Sequence, residues 1–121
     1  MTSAAVVMRY WMGERMQTQP VLRKSVALIL KTLPVWNPNS GQIDMYAWLN
    51  GTLAMHQVGG APWRRWRNSM CHVLLPQQRS GKTRDSGGSW DPVGPWGPDG
   101  GRVYSTALCA KILATCKAGL K

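Results

Sequence analysis

The stretch DMYAWLNGTLAMHQVGGAPWRRWRNSMCHVLLPQ, residues 44 to 77, carries the signals of two consecutive helices. Asp44 is a residue type that caps helix N-termini, and Gly59 with Gly60 ends the first helix because glycine accepts the backbone conformation that follows one. Pro62 then opens the second helix, since proline is tolerated in a first turn. The stretch therefore predicts a helical hairpin.

The chain before this stretch predicts another hairpin, over about residues 3 to 33. Its first helix is expected to run to about Met16, with Ala5, Met8 and Met12 marking the buried face. Its second helix begins at Pro20 and ends before the next proline. The apolar residues at helical spacing in this second helix are Leu22, Val26, Ile29, Leu30 and Leu33.

The chain after the stretch predicts a long loop rich in Gly, Pro and Trp over residues 79 to 101, followed by a final helix over about residues 104 to 117. Alternate helices open on similar small residues around Ser3, Thr52 and Thr106. These openings form a degenerate repeat of about fifty residues, the size of one helical hairpin with its loop. No segment alternates with the period of a strand, so the chain, residues 1 to 121, is predicted to be one all-α domain of helical hairpins.

Composition narrows the classes of protein to consider. Hydrophobic residues make up 44% of the 121 residues, which excludes a disordered chain. No apolar run approaches the roughly 20 residues of a membrane span. Three cysteines are too few for a disulfide framework and weakly favour a reducing, cytoplasmic compartment, while the localisation is otherwise undetermined.

The net charge of +10 raises the possibility of binding to an anion or a nucleic acid. The densest basic stretch follows Pro62, and there Trp63, Trp66 and Met70 form an apolar helical stripe that leaves the arginines facing solvent. We therefore expect a solvated helix face and no nucleic-acid partner, with an anion-binding patch as the alternative. The candidate residues for that patch are Arg64, Arg65, Arg67, Arg79, Lys82 and Arg84.

Gln78 followed by Gly88, Ser89 and Trp90 resembles the Gln-Trp repeat of the squalene cyclase and protein prenyltransferase superfamily, whose helical hairpins close into an α/α toroid. Over about residues 1 to 110 the chain is similar to bacterial proteins with prenyltransferase and squalene-oxidase-type repeats. The segments that carry this resemblance are Asp44-Met45-Tyr46-Ala47-Trp48, Gly51-Thr52-Leu53-Ala54, Gly59-Gly60-Ala61-Pro62-Trp63, Gly88-Ser89-Trp90-Asp91-Pro92 and Gly100-Gly101-Arg102-Val103-Tyr104-Ser105-Thr106-Ala107-Leu108.

The resemblance implies an incomplete α/α toroid, because a complete one has five or six hairpins. It also implies a truncated C-terminal portion, whose partners would be the remaining repeats or another copy of the chain. After Leu108 the sequence departs from the family pattern. In the family the Gln-Trp repeat ties neighbouring hairpins together, so a structural joint is expected from Gln78, Gly88, Ser89, Trp90 and Asp91.

Asp91 is the one carboxyl in a conspicuously aromatic setting, between Trp90 and Pro92. Desolvation there would raise its pKa. The alternative is that Asp91 hydrogen-bonds the loop backbone. The Asp-x-Asp-Asp acid motif of the cyclases is absent, so no catalytic residue is assigned.

Tyr46, Trp48, His56 and Tyr104 are candidates to line a cavity for an isoprenoid or another hydrophobic ligand, and core packing is the alternative. No zinc site or other cofactor is predicted. Cys71 and His72 are neighbours on a helix, so their side chains point about 100° apart and do not easily bind one metal ion. Cys109 and Cys116 lack a matching histidine or aspartate that would complete a zinc site.

The sequence therefore favours a binding or scaffold module without catalysis of its own. One alternative is a fragment of a terpenoid-cyclase-like enzyme that acts on an isoprenoid. The other is a basic module that binds anions or nucleic acid.

Overall fold

The computed structural model describes residues 2 to 81 and 86 to 118. Within these ranges the structure contains helices and no strand, which confirms the all-α class. The helices are α1 (Thr2–Trp11), α2 (Pro20–Lys31), α3 (Met45–Val58), α4 (Gly60–Leu74) and α5 (Gly97–Ala118), and a 3₁₀ turn, Leu75–Gln77, follows α4. None of the helices in the described ranges is both long and apolar enough to cross a membrane.

The helices pack in two layers. α3 lies between α1 and α5 in one layer, and α2 and α4 form the other, where α2 contacts α1 and α4 contacts both α3 and α5. The repeated small-residue openings noted in the sequence all belong to the first layer. α3 is the central helix, and its buried residues are Met45, Trp48, Leu49, Gly51, Thr52, Ala54 and Met55.

Local signals account for the ends of α2, α3 and α4. Pro20 is the first residue of α2, where its missing N–H costs no hydrogen bond. The Asp44 carboxylate accepts a 3.0 Å hydrogen bond from the backbone N–H of Ala47 and caps α3. Gly59 separates α3 from α4 with a φ of 71°, a conformation that glycine adopts without strain.

α1 differs from the prediction in both its length and its buried face. It ends at Trp11, and the residues turned to the core are Val6, Val7 and Tyr10, whereas Met8 and Met12 are exposed. The Arg15 side chain folds back beneath the helix, donating a 3.2 Å hydrogen bond to the Tyr10 carbonyl, and this interaction satisfies a terminal acceptor. The predicted extension to Met16 and the predicted methionine face were therefore wrong.

α5 begins earlier than the sequence indicated. A single helical turn, residues 97 to 100, precedes a break at Gly101, whose φ is 68°, and the regular helix continues from Arg102. Gly97 lies so close to the Pro92 carbonyl that a Cβ would overlap it. The loop predicted over residues 79 to 101 therefore folds back on itself and ends in a helical turn.

The contact between α3 and α4 depends on a glycine. A Cβ at Gly51 would overlap the indole ring of Trp66, with its Cη2 atom only 2.7 Å away. The Trp66 indole N–H donates a 3.0 Å hydrogen bond to the Thr52 hydroxyl, which in turn donates to the Trp48 carbonyl at 2.8 Å. Gly51 thus lets the large indole of Trp66 approach the axis of α3, while the indole N–H keeps a hydrogen-bond partner.

Candidate ligand-binding groove and its supporting loop

The loop before α5 is attached to the ends of two helices through Trp90. This side chain is 3% exposed, and its indole N–H donates a 2.8 Å hydrogen bond to the Leu74 carbonyl at the end of α4. On the other side, the Ser105 hydroxyl donates to the Trp90 carbonyl at 2.7 Å, and the Trp90 N–H donates to the Thr106 hydroxyl at 3.2 Å. Trp90 therefore connects α4 to α5.

The other residues of the expected joint surround this tryptophan. Gln78 donates from its side-chain amide to the Gly88 carbonyl at 2.9 Å, so it closes the loop and does not reach a helix end. The Ser89 hydroxyl accepts a 3.0 Å hydrogen bond from Arg102. The bond to the end of α4 is made by the indole of Trp90.

Asp91 forms ion pairs with two arginines. Arg79 binds both carboxylate oxygens, at 2.7 and 3.1 Å, and Arg102 binds one of them at 2.9 Å. Hydrogen bonds from Arg79 are the main reason why the pKa of Asp91 lies below its usual value, and Arg102 lowers it further. The expectation that an aromatic, desolvated setting raises the pKa of Asp91 was wrong, because the two guanidinium groups outweigh the effect of burial.

Asp91→Asn is expected to lower the free energy of unfolding by about 1 kcal/mol at neutral pH, a modest effect because all three side chains are partly exposed. Folding lowers the pKa of Asp91. The contribution is therefore complete above the unfolded-state value, about 4, and is lost as the pH falls through the lower folded-state value. Urea unfolding of both proteins at neutral pH and at about pH 2 measures this difference.

The matched control is Asp99→Asn, which removes an exposed carboxylate from the helical turn that follows the loop and should leave stability unchanged within about 0.5 kcal/mol. A loss for Asp91→Asn that is equally large at both pH values would contradict the ion-pair explanation.

Three arginines of the candidate anion patch have different surroundings in the structure. Arg79 is engaged by Asp91, whereas Arg64 and Arg65 are exposed on α4. Lys82 and Arg84 lie outside the described residues.

A groove of about 390 Å³ lies between the N-terminal parts of α1 and α3, where Trp96 of the loop forms one of its walls. Its lining residues are Ser3, Ala4, Asp44, Tyr46, Ala47, Asn50 and Trp96. Tyr46 is 56% exposed and Trp96 is 55% exposed. Two large aromatic rings thus present apolar surface to solvent at one concave site, with a carboxylate and an amide beside them.

Tyr104 of α5 lies beside this groove. Burial raises the pKa of its hydroxyl, and the Asp44 carboxylate and the Tyr46 hydroxyl raise the pKa further because they are close enough for their charges to act on it. The Tyr104 ring also covers Gly100, where a Cβ would lie 2.5 to 2.7 Å from its atoms. The Tyr104 side chain therefore lies against the helical turn that follows Trp96, and its hydroxyl stays un-ionised at neutral pH.

The four candidate cavity residues separate into two groups. Tyr46 lines the groove and Tyr104 lies near it, close enough to Tyr46 and Asp44 for their charges to act on its hydroxyl, whereas Trp48 and His56 do not line it. Trp48 is buried, with its ring centroid 6.3 Å from that of Trp36, and it borders a neighbouring cleft beside α2. His56 lies at the far end of α3, exposed, with its ring edge-on to Trp63 at 5.1 Å.

Sequence reasoning missed Trp96 as a groove residue. It lies 50 residues from Tyr46 within a segment expected to be loop, and only the fold of that segment brings the two rings to one site. The one local signal is its setting in Gly94-Pro95-Trp96-Gly97-Pro98, where prolines and glycines place a tryptophan in a turn.

The cysteines have different surroundings. Cys109 is buried and its sulfur lies 3.7 Å from that of Met45, and burial raises the pKa of its thiol to about 12. Over residues 2 to 81 and 86 to 118, no group of three His, Cys, Asp or Glu side chains could hold a metal ion.

Comparison of the chain with protein-family models, with curated proteins and with solved structures gives no match. The proposed function therefore rests on the geometry of the groove and of its supporting loop.

Proposed function

We propose that the protein is a non-catalytic helical-repeat module that binds a hydrophobic ligand in the groove between α1 and α3. The observation that carries the proposal is the pair of exposed rings, Tyr46 and Trp96, at one concave site. Ligand sites are typically concave and apolar, with a few polar groups that orient the ligand, and here Asp44 and Asn50 have that position.

An isoprenoid is the ligand class that the resemblance to the prenyltransferase and squalene-oxidase-type repeats implies. The two-layer packing, with alternate helices in the layer that carries the groove, supports membership of an α/α toroid. In this proposal the remaining hairpins come from further repeats or from a second copy of the chain. A flexible apolar chain would cover both rings and displace water from them.

Two carboxylates, Asp44 in the groove and Asp91 in the supporting loop, argue against the alternative of a terpenoid-cyclase-like enzyme. An acid that protonates an alkene must be held protonated, which requires a raised pKa. Asp91 is paired with two arginines and has a lowered pKa, and Asp44 is the cap of α3. Catalysis by this alternative would need an acid other than Asp44 and Asp91.

Trp96→Ala is expected to weaken ligand binding at least tenfold, because it removes one of the two exposed walls of the groove. Native mass spectrometry with farnesol and squalene, together with quenching of tryptophan fluorescence, measures the affinity. Farnesyl diphosphate tests whether a charged head group adds to binding. The matched control is Trp11→Ala, which removes a tryptophan that is 71% exposed on α1 outside the groove lining.

Equal affinities for the Trp96→Ala variant and the unaltered protein would place the ligand elsewhere. Failure of the folded, unaltered protein to bind any of the three compounds would count against an isoprenoid ligand.

A further inference from the structure

Two cysteines from different helices meet at the contact between α4 and α5. Cys71 of α4 and Cys116 of α5 line one cavity of about 300 Å³, and after burial it is the neighbouring Cys71 thiol that raises the pKa of the Cys116 thiol. The same cavity is bordered by Arg67 and Lys117. Both cysteines are free thiols in the structure.

We propose that Cys71 and Cys116 form a reversible disulfide by exchange with a small-molecule disulfide, and that this bond locks α5 onto α4. The inference does not depend on the function proposed for the groove, because it rests on a different face of the molecule and on different residues.

The surroundings of the two thiols indicate which of them reacts first with the small disulfide. Cys71 is partly exposed, whereas Cys116 is 2% exposed, and burial raises the pKa of the Cys116 thiol to about 12. Cys71 is therefore the thiol that meets the oxidant. Arg67 and Lys117 place positive charge at the cavity, which attracts an anionic disulfide such as oxidised glutathione.

The exchange balances without a further reagent. The Cys71 thiolate attacks one sulfur of the small disulfide, the S–S bond of that molecule breaks, and one small thiolate leaves. The Cys116 sulfur then attacks the Cys71 sulfur of the mixed disulfide, gives up its proton to solvent and expels the second small thiolate. Two protein thiols are oxidised to one disulfide, and one small disulfide is reduced to two thiols.

The bond would add a second attachment between helices that are already joined near the end of α4. Trp90 connects the carbonyl of Leu74 to the start of the regular part of α5, and the disulfide would hold the later turns of α5 against α4. Because it closes a long loop of chain, the bond should raise the melting temperature by about 10 °C.

Trypsin provides a direct test, because cleavage after Lys and Arg places the three cysteines in three peptides: NSMCHVLLPQQR (68 to 79), VYSTALCAK (103 to 111) and ILATCK (112 to 117). The folded protein is incubated with excess oxidised glutathione, alkylated, digested without reduction and analysed by mass spectrometry. The expected product joins the first and third peptides, and dithiothreitol should reverse both this link and the rise in melting temperature.

Cys109→Ser is the matched control and should still form the link, because Cys109 packs against Met45 and not against a second cysteine. Cys71→Ser should abolish the link, and Cys116→Ser should stop the reaction at a stable glutathione adduct on Cys71. A folded protein that forms only glutathione adducts, or that links Cys109 as readily as Cys116, would overturn the proposal.

Discussion

Trp90→Ala is expected to lower the free energy of unfolding by about 3 to 5 kcal/mol, the usual cost of deleting a large buried aromatic side chain. The indole is 3% exposed, and its N–H pairs with the Leu74 carbonyl at 2.8 Å. The substitution therefore leaves both a cavity and an unpaired carbonyl at the end of α4. Thermal and urea unfolding measure the loss.

The same loop supplies a control for this substitution. Trp96→Ala removes the same side chain from an exposed position, so we expect it to change stability by less than about 1 kcal/mol. Trp90→Phe separates the effect of the cavity from that of the lost hydrogen bond, because it keeps most of the apolar volume and loses only the hydrogen bond. Similar stabilities for the Trp90→Ala and Trp96→Ala variants would show that Trp90 does not join α4 to α5.

Gly51→Ala is expected to destabilise the protein by about 2 kcal/mol or more, although alanine is the better helix former. Intrinsic propensity alone would make the substitution stabilising by about 1 kcal/mol. In the structure the new methyl group would overlap the Trp66 ring and displace the indole that donates to Thr52. Overpacking of this kind typically costs about 1 to 3 kcal/mol, in addition to any lost hydrogen bond.

Helix propensity and packing predict opposite signs for the change in the free energy of unfolding. The measured sign therefore tests the contact between α3 and α4. Urea unfolding, together with the near-ultraviolet circular dichroism of the tryptophans, measures it. Gly81→Ala is the matched control, because Gly81 is exposed and a Cβ there meets nothing within 4 Å. A Gly51→Ala variant as stable as the unaltered protein would mean that Trp66 does not pack against that turn of α3.

The two substitutions also test how the groove is supported. Trp90 anchors the loop that carries Trp96, and Gly51 lies on α3, which provides Tyr46. Loss of ligand binding in the Trp90→Ala variant at a temperature where the protein stays folded would indicate that the loop positions Trp96. Trp96→Ala should by contrast affect binding without affecting folding.

The sequence by itself determined the helical class and the limits of the central helices. Asp44, Pro20 and Gly59 act through hydrogen bonds and backbone angles within a few residues, so their effect is visible without the rest of the chain.

Only the tertiary structure decided which face of α1 is buried and which residues form the groove. Met8 and Met12 have helical spacing, as Val6 and Tyr10 do, and packing against α2 and α3 selects the second set. Asp91 has an aromatic neighbour in sequence but two cationic neighbours in space. Tyr46 and Trp96 are 50 residues apart in sequence and line the same groove. Local signals fix local structure, whereas burial, charge and the shape of a site depend on contacts between residues far apart in sequence.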